Sequence, residues 1–545
     1  MRTFILKRLA ILFLVSCALF LAGNNLVSIT DPDEAFYSLT AHEMVAHHEW
    51  MTPLIFGQPQ FEKPPLTYWL IAAAFKTWGE SPFTARLYPA LFSVLGVLGL
   101  YFIGLMGFKD ERKAFLSALA LATSAFYIGM GKTVFTDMIF SVFILYAFAF
   151  FLLAYTDPRR QAVGLLGFYA CGGLSALTKT PLGFVILHMA VLLFLLYQRR
   201  LNFMRSVWVP VGLMVFLAVS LPWYAAMYTH YGHAFTHEFF FNDHWRRFME
   251  AEHHGNDHWF FYPVTMLAGM FPWSLFLGTA CFELFRKGPG SLMDHFSISW
   301  LVAVLVVFQP AHSKLASYIL PLFPALALMT GNFLGDALSQ IQQRPKMEKL
   351  LYASFVMPAL LGILVLALHK LYGRYVPTML PSFFLSGALI TVAGIGVALT
   401  IRGRLQGALY VLALSLAPIL ATLFMVHTYI EKYVSSHEAS AYIPPRSSGS
   451  TTVLVSKYNA RGIHYYTGQK VAVLNDSPQP FFSPHPIPIL DTEKKIMHLL
   501  ASQKVTYGVV RKGYYRQLVK YCAGHYQVKL LSVLGADYVV RVKAL

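Results

Sequence analysis

Charge is scarce in this chain. Asp, Glu, Lys and Arg make up 13% of its 545 residues, about half the share of an ordinary soluble domain. Hydrophobic residues make up 56%, whereas a disordered chain combines low hydrophobicity with high charge. A row of soluble domains and a disordered chain are both excluded. Cysteine is scarce as well. The four cysteines (Cys17, Cys171, Cys281 and Cys522) are scattered, three of them in apolar runs and the last alone near the end, so neither a disulfide framework nor a closed zinc spacing is present. Acids are few beside bases, 26 against 43, for a net charge of +17. In a soluble protein that balance would point to nucleic acid. In so apolar a chain it points to cytoplasmic Lys and Arg that set membrane topology, and no nucleic-acid partner is expected. No internal repeat or low-complexity segment is visible.

What the chain does have is long apolar runs. After Arg2, Lys7 and Arg8, a first run covers residues 9–27. A basic start and an apolar stretch can be a cleaved signal, and Leu14-Val15-Ser16-Cys17 faintly resembles a lipoprotein cleavage box. The run continues past Cys17 for a length that spans a bilayer, so an uncleaved first membrane helix is expected. Further runs lie at 87–107, 114–131, 136–154, 162–178, 182–198, 207–229, 260–284, 296–310, 315–334, 350–369, 382–401 and 405–427. The expected fold class is an α-helical polytopic membrane protein with about 13 transmembrane helices over residues 1–427.

Orientation follows from the basic residues. With the N-terminus in the cytoplasm, every cytoplasmic segment is basic: Lys109, Arg112 and Lys113; Arg159 and Arg160; Arg199, Arg200 and Arg205; Arg286 and Lys287; Arg344, Lys346 and Lys349; Arg402 and Arg404. This satisfies the positive-inside rule, and an odd span count puts the C-terminal tail on the outer face. The tail, 428–545, changes in composition. Strand-like runs at 452–456, 470–474, 507–510 and 537–542, with a helix-like run at 492–502, predict a small soluble α/β domain.

The outer face carries long loops at 30–86 and 230–259 and nearly all the acids of the membrane part. Polar groups in membrane proteins concentrate where function lies, so a site opening to that face is expected. Asp31-Pro32-Asp33-Glu34 sets three carboxylates in four residues just beyond a membrane helix. Mutual repulsion favours a proton on one of them, which makes a usable general base. An N-capping cluster explains the same residues, and 35–49 reads as an amphipathic interfacial helix. In Glu62-Lys63-Pro64-Pro65 the prolines stiffen a Glu–Lys pair. Lys63 suits a phosphate as a point charge, while a helix break before the aromatic Tyr68-Trp69 explains the prolines equally. Asp137 stands at a helix start, where the dipole favours it. Lys63, Lys132, Lys179, Arg246, Arg247 and Lys314 place bases on the outer face against the orientation bias. Snorkelling explains each lysine singly; an anionic ligand such as a lipid-carrier phosphate explains the set. In Glu252-His253-His254-Gly255-Asn256-Asp257-His258, histidine and acid cluster without matching any closed metal spacing.

Taken together, these motifs resemble the GT-C glycosyltransferases of the protein mannosyltransferase and lipid A aminoarabinose transferase group. The residues that carry the resemblance are Asp31-Pro32-Asp33-Glu34 with Tyr37, Glu62-Lys63-Pro64-Pro65 with Tyr68-Trp69, and Thr136-Asp137. Thr178-Lys179, Leu221-Pro222-Trp223-Tyr224, Phe271-Pro272-Trp273-Ser274 and Ser313-Lys314-Leu315 with Tyr318 add to it. The resemblance implies a GT-C fold, a polyprenyl-phosphate sugar as donor, and transfer on the periplasmic face of the bacterial inner membrane, among membrane lipids. It implies Asp33 as base or its organiser and Asp137 as the second catalytic carboxylate. Lys63 matches a phosphate-contacting lysine, with Lys179, Arg246, Arg247 and Lys314 as further phosphate ligands. Asp31, Glu34, Tyr37, Tyr68 and Tyr318 are implied as substrate-binding. Glu62 and His254 match a pair that holds a zinc ion in one branch, so a divalent metal, not obligatory, is the one cofactor implied.

Two departures stand out. The aminoarabinose transferases carry Arg three residues after the Asp, where this chain has Phe36, and they tend to lack Pro65. The later motifs favour that branch nonetheless. Lipid A is therefore the expected acceptor, with a protein hydroxyl as the alternative. A lipid-sugar flippase should show mid-membrane charge, broken helices and a repeat, and the apolar runs here carry almost no charge.

Overall fold

The computed structural model describes residues 2–250, 256–340, 344–445, 451–474 and 487–545. Packing divides the chain into two units: Met1–Gly23 with Arg86–Met425, and Asn24–Ala85 with Val426–Leu545.

The first unit is helical. Every one of the thirteen apolar runs contains helix. Eight described helices are long and apolar enough to cross a membrane, or ten if two bent pairs each count as one span. This makes the chain a multi-pass membrane protein, while the expected number of 13 is not reached by this measure. The shortfall has local causes. Leu182–Tyr197 has only 16 residues. The run at 260–284 is broken into Phe261–Gly269 and Ser274–Lys287. A further bend of 109° separates Ser274–Lys287 from Leu292–Phe308. There Gly288 takes φ 74° and ends one helix, as glycine does without a Cβ penalty. Ser291 and Asp294 then form a capping box that starts the next, supplying partners for its first free N–H groups.

Aromatic contacts lock three of these helices. The Phe148 ring, on helix Thr136–Thr156, lies 4.5 Å from Trp300 and 5.8 Å from Phe296, both on Leu292–Phe308; Phe194 of Leu182–Tyr197 reaches Phe296 at 5.7 Å. This packing fixes the helix that carries Asp137. Elsewhere small residues allow backbones to approach. A Cβ added at Gly331 would lie 2.4 Å from the Ser117 backbone nitrogen on the facing helix.

The second unit is α/β. Its six-stranded sheet runs Ile489–Leu490, Lys470–Leu474, Thr452–Ser456, Val505–Arg511, Asp537–Ala544, Tyr526–Leu534. The first three pairings are parallel and the last two antiparallel. Helices cover both faces, which is why the inner strands read as continuous apolar runs. Leu454, Ala472 and Val510 face Leu500 and Leu518, from helices Glu493–Ala501 and Lys512–Cys522. Val453, Val455 and Val473 face Ala460 and Ile463 of helix Ala460–Thr467. The strands expected at 452–456 and 470–474 have those bounds. The expected strands at 507–510 and 537–542 lie inside longer ones.

The first loop belongs to this unit. It supplies helix Asp33–Ala46, a hairpin of Leu54–Ile55 with Gln58–Pro59, and helix Leu66–Trp78. Helix Asp33–Ala46 does not have the wet face of an interfacial helix: residues 34–41 are all buried, as are Glu43 and Met44.

Gly331→Ala is expected to lower stability by about 1–3 kcal/mol, because its methyl must displace backbone. Gly387→Ala, in a helix position open around its Cβ, should hold stability or raise it by about 0.5–1 kcal/mol. Thermal unfolding of the two variants in detergent tests the contrast.

Candidate functional site

The three clustered carboxylates of the first loop have three different surroundings. Glu34 is 1% exposed and accepts from the Thr30 amide at 3.0 Å and the Thr30 hydroxyl at 2.8 Å. Asp31 is also buried. It accepts from the Ser436 amide at 2.8 Å, the Ser436 hydroxyl at 2.6 Å and the Gly462 amide at 3.0 Å. Asp33 alone is exposed, in the first turn of its helix, where the helix dipole favours a negative charge. Asp31 and Glu34, expected among the substrate-binding residues, thus have their carboxylates engaged by the protein itself.

The proton expected on one of the three belongs to Asp31, and repulsion within the cluster is not the main cause. Burial pushes its carboxyl from 3.8 up to about 7, against the pull of the Ser436 and Gly462 donors, with nearby Asp537 pushing the same way. Asp537 is itself raised by burial, partly offset by Arg511 and Asn459. The network continues through Asn459, whose amide donates to Asp537 at 2.9 Å and to the Ser436 hydroxyl at 3.2 Å.

Tyr37 and Tyr68 lie together with ring centroids 5.9 Å apart. Tyr68 is fully buried and receives a hydrogen bond from Gln60 at 2.9 Å. Lys63 is half-buried, and its ammonium donates to the Glu62 carbonyl at 3.0 Å. Glu62 is half-buried beside it. His254, its expected metal partner, lies outside the described residues. Among the described residues no three of His, Cys, Asp and Glu converge to hold a metal, and no step below uses one.

The helical unit brings the other expected residues into ion pairs. Lys179 Nζ lies 2.5 Å from Asp137, both nearly buried, and 4.6 Å from the Tyr318 ring centroid. Asp137 sits in the first turn of Thr136–Thr156 and Lys179 just past the end of Gln161–Thr178. Arg247 pairs with buried Asp243 at 2.8 Å, and Arg246 with Glu250 at 2.9 Å. Lys314, 5% exposed along its side chain, pairs with Asp257 at 2.7 Å. His312 reaches the other Asp257 oxygen at 2.8 Å. Lys314 and His312 together hold the Asp257 carboxyl below its usual range. Backbone bonds tie the two segments: the His312 amide donates to Phe248 O at 3.0 Å and the Ser313 amide to Arg247 O at 3.2 Å.

At least four of the five bases expected to bind phosphate, Lys179, Arg246, Arg247 and Lys314, therefore have a carboxylate mate. Sequence reasoning singled out the bases and missed the mates Asp243, Glu250 and Asp257, and His312 with them. Spacing held no signal for Lys314 and Asp257, 57 positions apart, whereas Asp243–Arg247 and Arg246–Glu250 sit at the i,i+4 spacing of helix neighbours. The pairing does not exhaust the cations, since an ammonium offers three donors and a guanidinium five.

Asp31 makes this unit sensitive to pH. Its folded value lies above that of an exposed aspartate, so the folded state keeps an extra proton between about pH 4 and 7. Stability is then greatest at the acid end of that window and falls as pH rises through it, by up to about 4 kcal/mol. Melting temperatures at pH 5 and pH 8 should differ in that direction for the native chain, and the difference should shrink in Asp31→Asn.

Comparison with known proteins adds to this geometry. Residues 62–225 match the family model described as dolichyl-phosphate-mannose-protein mannosyltransferase. A relative from Pseudomonas fluorescens, named undecaprenyl phosphate-alpha-4-amino-4-deoxy-L-arabinose arabinosyl transferase 2, is 28% identical over 347 residues, 63% of this chain and 59% of the relative. A transferase of like name from Edwardsiella ictaluri is 30% identical over 330 residues, 60% of this chain and 58% of the relative. The chain thus aligns with less than two thirds of the length of these relatives. The crystal structure of ArnT from Cupriavidus metallidurans bound to undecaprenyl phosphate superposes with a TM-score of 0.79 at 18% identity, covering 98% of this chain and 97% of that one. Its apo form gives 0.77. The resemblance read from the motifs therefore holds: the chain has the fold of the ArnT structures, and its residues 62–225 match the mannosyltransferase family model.

Proposed function

We propose that the chain is an integral-membrane glycosyltransferase that moves a sugar from a polyprenyl-phosphate carrier to a lipid acceptor of the lipid A kind. The observation that carries this reading is the exposure of Asp33 in the first turn of its helix, between the buried Asp31 and Glu34. Of the three, it alone is exposed, where an acceptor can approach it. The relatives named as undecaprenyl phosphate-aminoarabinose transferases support the donor class, and the acceptor class rests on the motifs. The mannosyltransferase family model favours a second reading, with the same donor and a protein hydroxyl as acceptor. In either reading the chain sits in the bacterial inner membrane, with its N-terminus cytoplasmic and its C-terminal domain periplasmic.

The chemistry asked of the residues is modest. The acceptor oxygen attacks the anomeric carbon as the bond from that carbon to the phosphate oxygen breaks, and the acceptor proton passes to Asp33. The carrier leaves as its phosphate, so no strong general acid is required. The transition state has oxocarbenium character, and charge grows on the departing phosphate. Lys63, Lys179, Arg246, Arg247 and Lys314 are the bases assigned to that charge. A phosphate reaching the paired bases must compete with Asp137, Asp243, Glu250 and Asp257, or use the donors those acids leave over. One displacement inverts the anomeric centre.

Mass spectrometry of lipid A and of periplasmic glycopeptides, from cells with and without the gene, tests the reading. A sugar-sized mass missing from lipid A supports the first acceptor, one missing from a glycopeptide the second; no change in either sinks both. With purified protein and lipid substrates, Asp33→Asn should lower kcat by about 10²–10⁴-fold, and Lys63→Ala by about 10²–10³-fold. Normal turnover in Asp33→Asn would remove Asp33 as the base.

A further inference from the structure

One short helix of the tail touches helix Asp33–Ala46 at both ends. This is Ala460–Thr467, whose Ala460 and Ile463 are anchored on the sheet. At the leading end its Gly462 amide donates to Asp31 at 3.0 Å. Its Arg461 donates to the Pro32 carbonyl at 3.3 Å and lies 4.7 Å above the Phe36 ring. Pro32 and Phe36 flank Asp33 in sequence. At the trailing end His464 faces the buried Glu43 at 3.5 Å, and Tyr465 packs edge-on against His42 at 6.0 Å. The chain before Asp33 is held too. Ser435 donates to the Ile29 carbonyl at 2.7 Å, and the Asp31 amide donates to Val434 O at 2.8 Å.

We infer that helix Ala460–Thr467 belongs to the reaction machinery: through Gly462 and Arg461 it sets the position of the Asp33 carboxylate, so that the soluble tail is a positioning element for transfer. This deepens the proposed function and rests on its assignment of Asp33 as the base. Gly462 and Arg461 are positioning residues, since both act through the backbone and side chains around Asp33. Two features favour positioning over mere adhesion. A Cβ at Gly462 would stand 2.3 Å from the Asp31 carboxylate, so close an approach at this point admits only glycine. Arg461 is spread over the residues on either side of Asp33 rather than over the outer turns of the helix. A carboxylate that must meet a hydroxyl in line tolerates little displacement, and a shift of about 1 Å can cost about 10²-fold in rate.

The test uses the full chain in detergent, with undecaprenyl-phosphate-linked aminoarabinose as donor and lipid A as acceptor. Gly462→Ala should lower kcat by about ten- to hundredfold with the donor KM unchanged. In an Asp33→Asn background the same change should cost nothing further, because both losses pass through one group. Arg461→Ala should behave alike, with partial recovery in Arg461→Lys; this pair stands in if Gly462→Ala does not fold. Lys529→Ala, on an exposed position of the outermost strand, should leave turnover as it is. A Gly462→Ala loss that adds in full to that of Asp33→Asn, or a wild-type kcat in both Gly462→Ala and Arg461→Ala, would overturn the inference. If Asp33→Asn itself is fully active, it is the base assignment that fails. Hydrogen exchange then decides the positioning: faster exchange at residues 33–37 in Gly462→Ala upholds it, and unchanged exchange ends it.

Discussion

A carboxylate taken out of water needs donors to replace the water it loses. Asp31 finds three, all on the tail, and much of the loop–tail unit is organised around that need. Residues more than 400 positions apart must be adjacent for it to be met. Ser436 lies just past the end of the last apolar helix, and Gly462 lies on a helix that packs against the sheet. Asn459 and Asp537 extend the same network into a strand. With Asp31 held, the following turn has a fixed start, and Glu34 turns back to Thr30 to close it. Asp33 is left as the one carboxylate of the cluster facing outward.

The helical unit solves a related problem by other means. Bases placed among apolar helices are costly to leave alone, and here each of Lys179, Arg246, Arg247 and Lys314 has an acid within 3 Å. The arrangement resolves two ideas that compete at the level of sequence, solitary snorkelling lysines and a bare anion cradle. The bases are neither solitary nor bare. In the proposed reaction, a ligand phosphate would have to exchange partners within a set of ion pairs. The aromatic packing of Phe148, Trp300 and Phe296 matters for the same reason, because it fixes the helix from which Asp137 reaches Lys179.

Much of the fold was legible in the sequence because its signals are local. A bilayer demands long apolar runs, and every run that meets the demand contains helix. The strands of the tail were legible where both faces are covered, as in 452–456 and 470–474, because two-sided burial writes a continuous apolar stretch. The outermost strand Tyr526–Leu534, with none of its residues buried, writes no such stretch, and neither does the short helix Ala460–Thr467. The span count was less legible. The 109° bend near Gly288 falls in the gap between the runs at 260–284 and 296–310, but the break after Gly269 lies inside one apolar run, and apolarity does not record it.

The sequence by itself determined that the chain crosses a membrane, that it ends in an α/β domain, and which residue types carry the chemistry. Those properties follow from composition, period and short motifs, each contained in a few neighbouring residues. Only the tertiary structure decided that Asp137 accompanies Lys179 and Asp257 accompanies Lys314. It also decided that Asp31 is the carboxylate of the cluster whose burial raises its affinity for a proton, and that the first loop packs with the tail. These depend on burial and on donors brought from distant positions, and a carboxylate's affinity for its proton is set by what surrounds it in space.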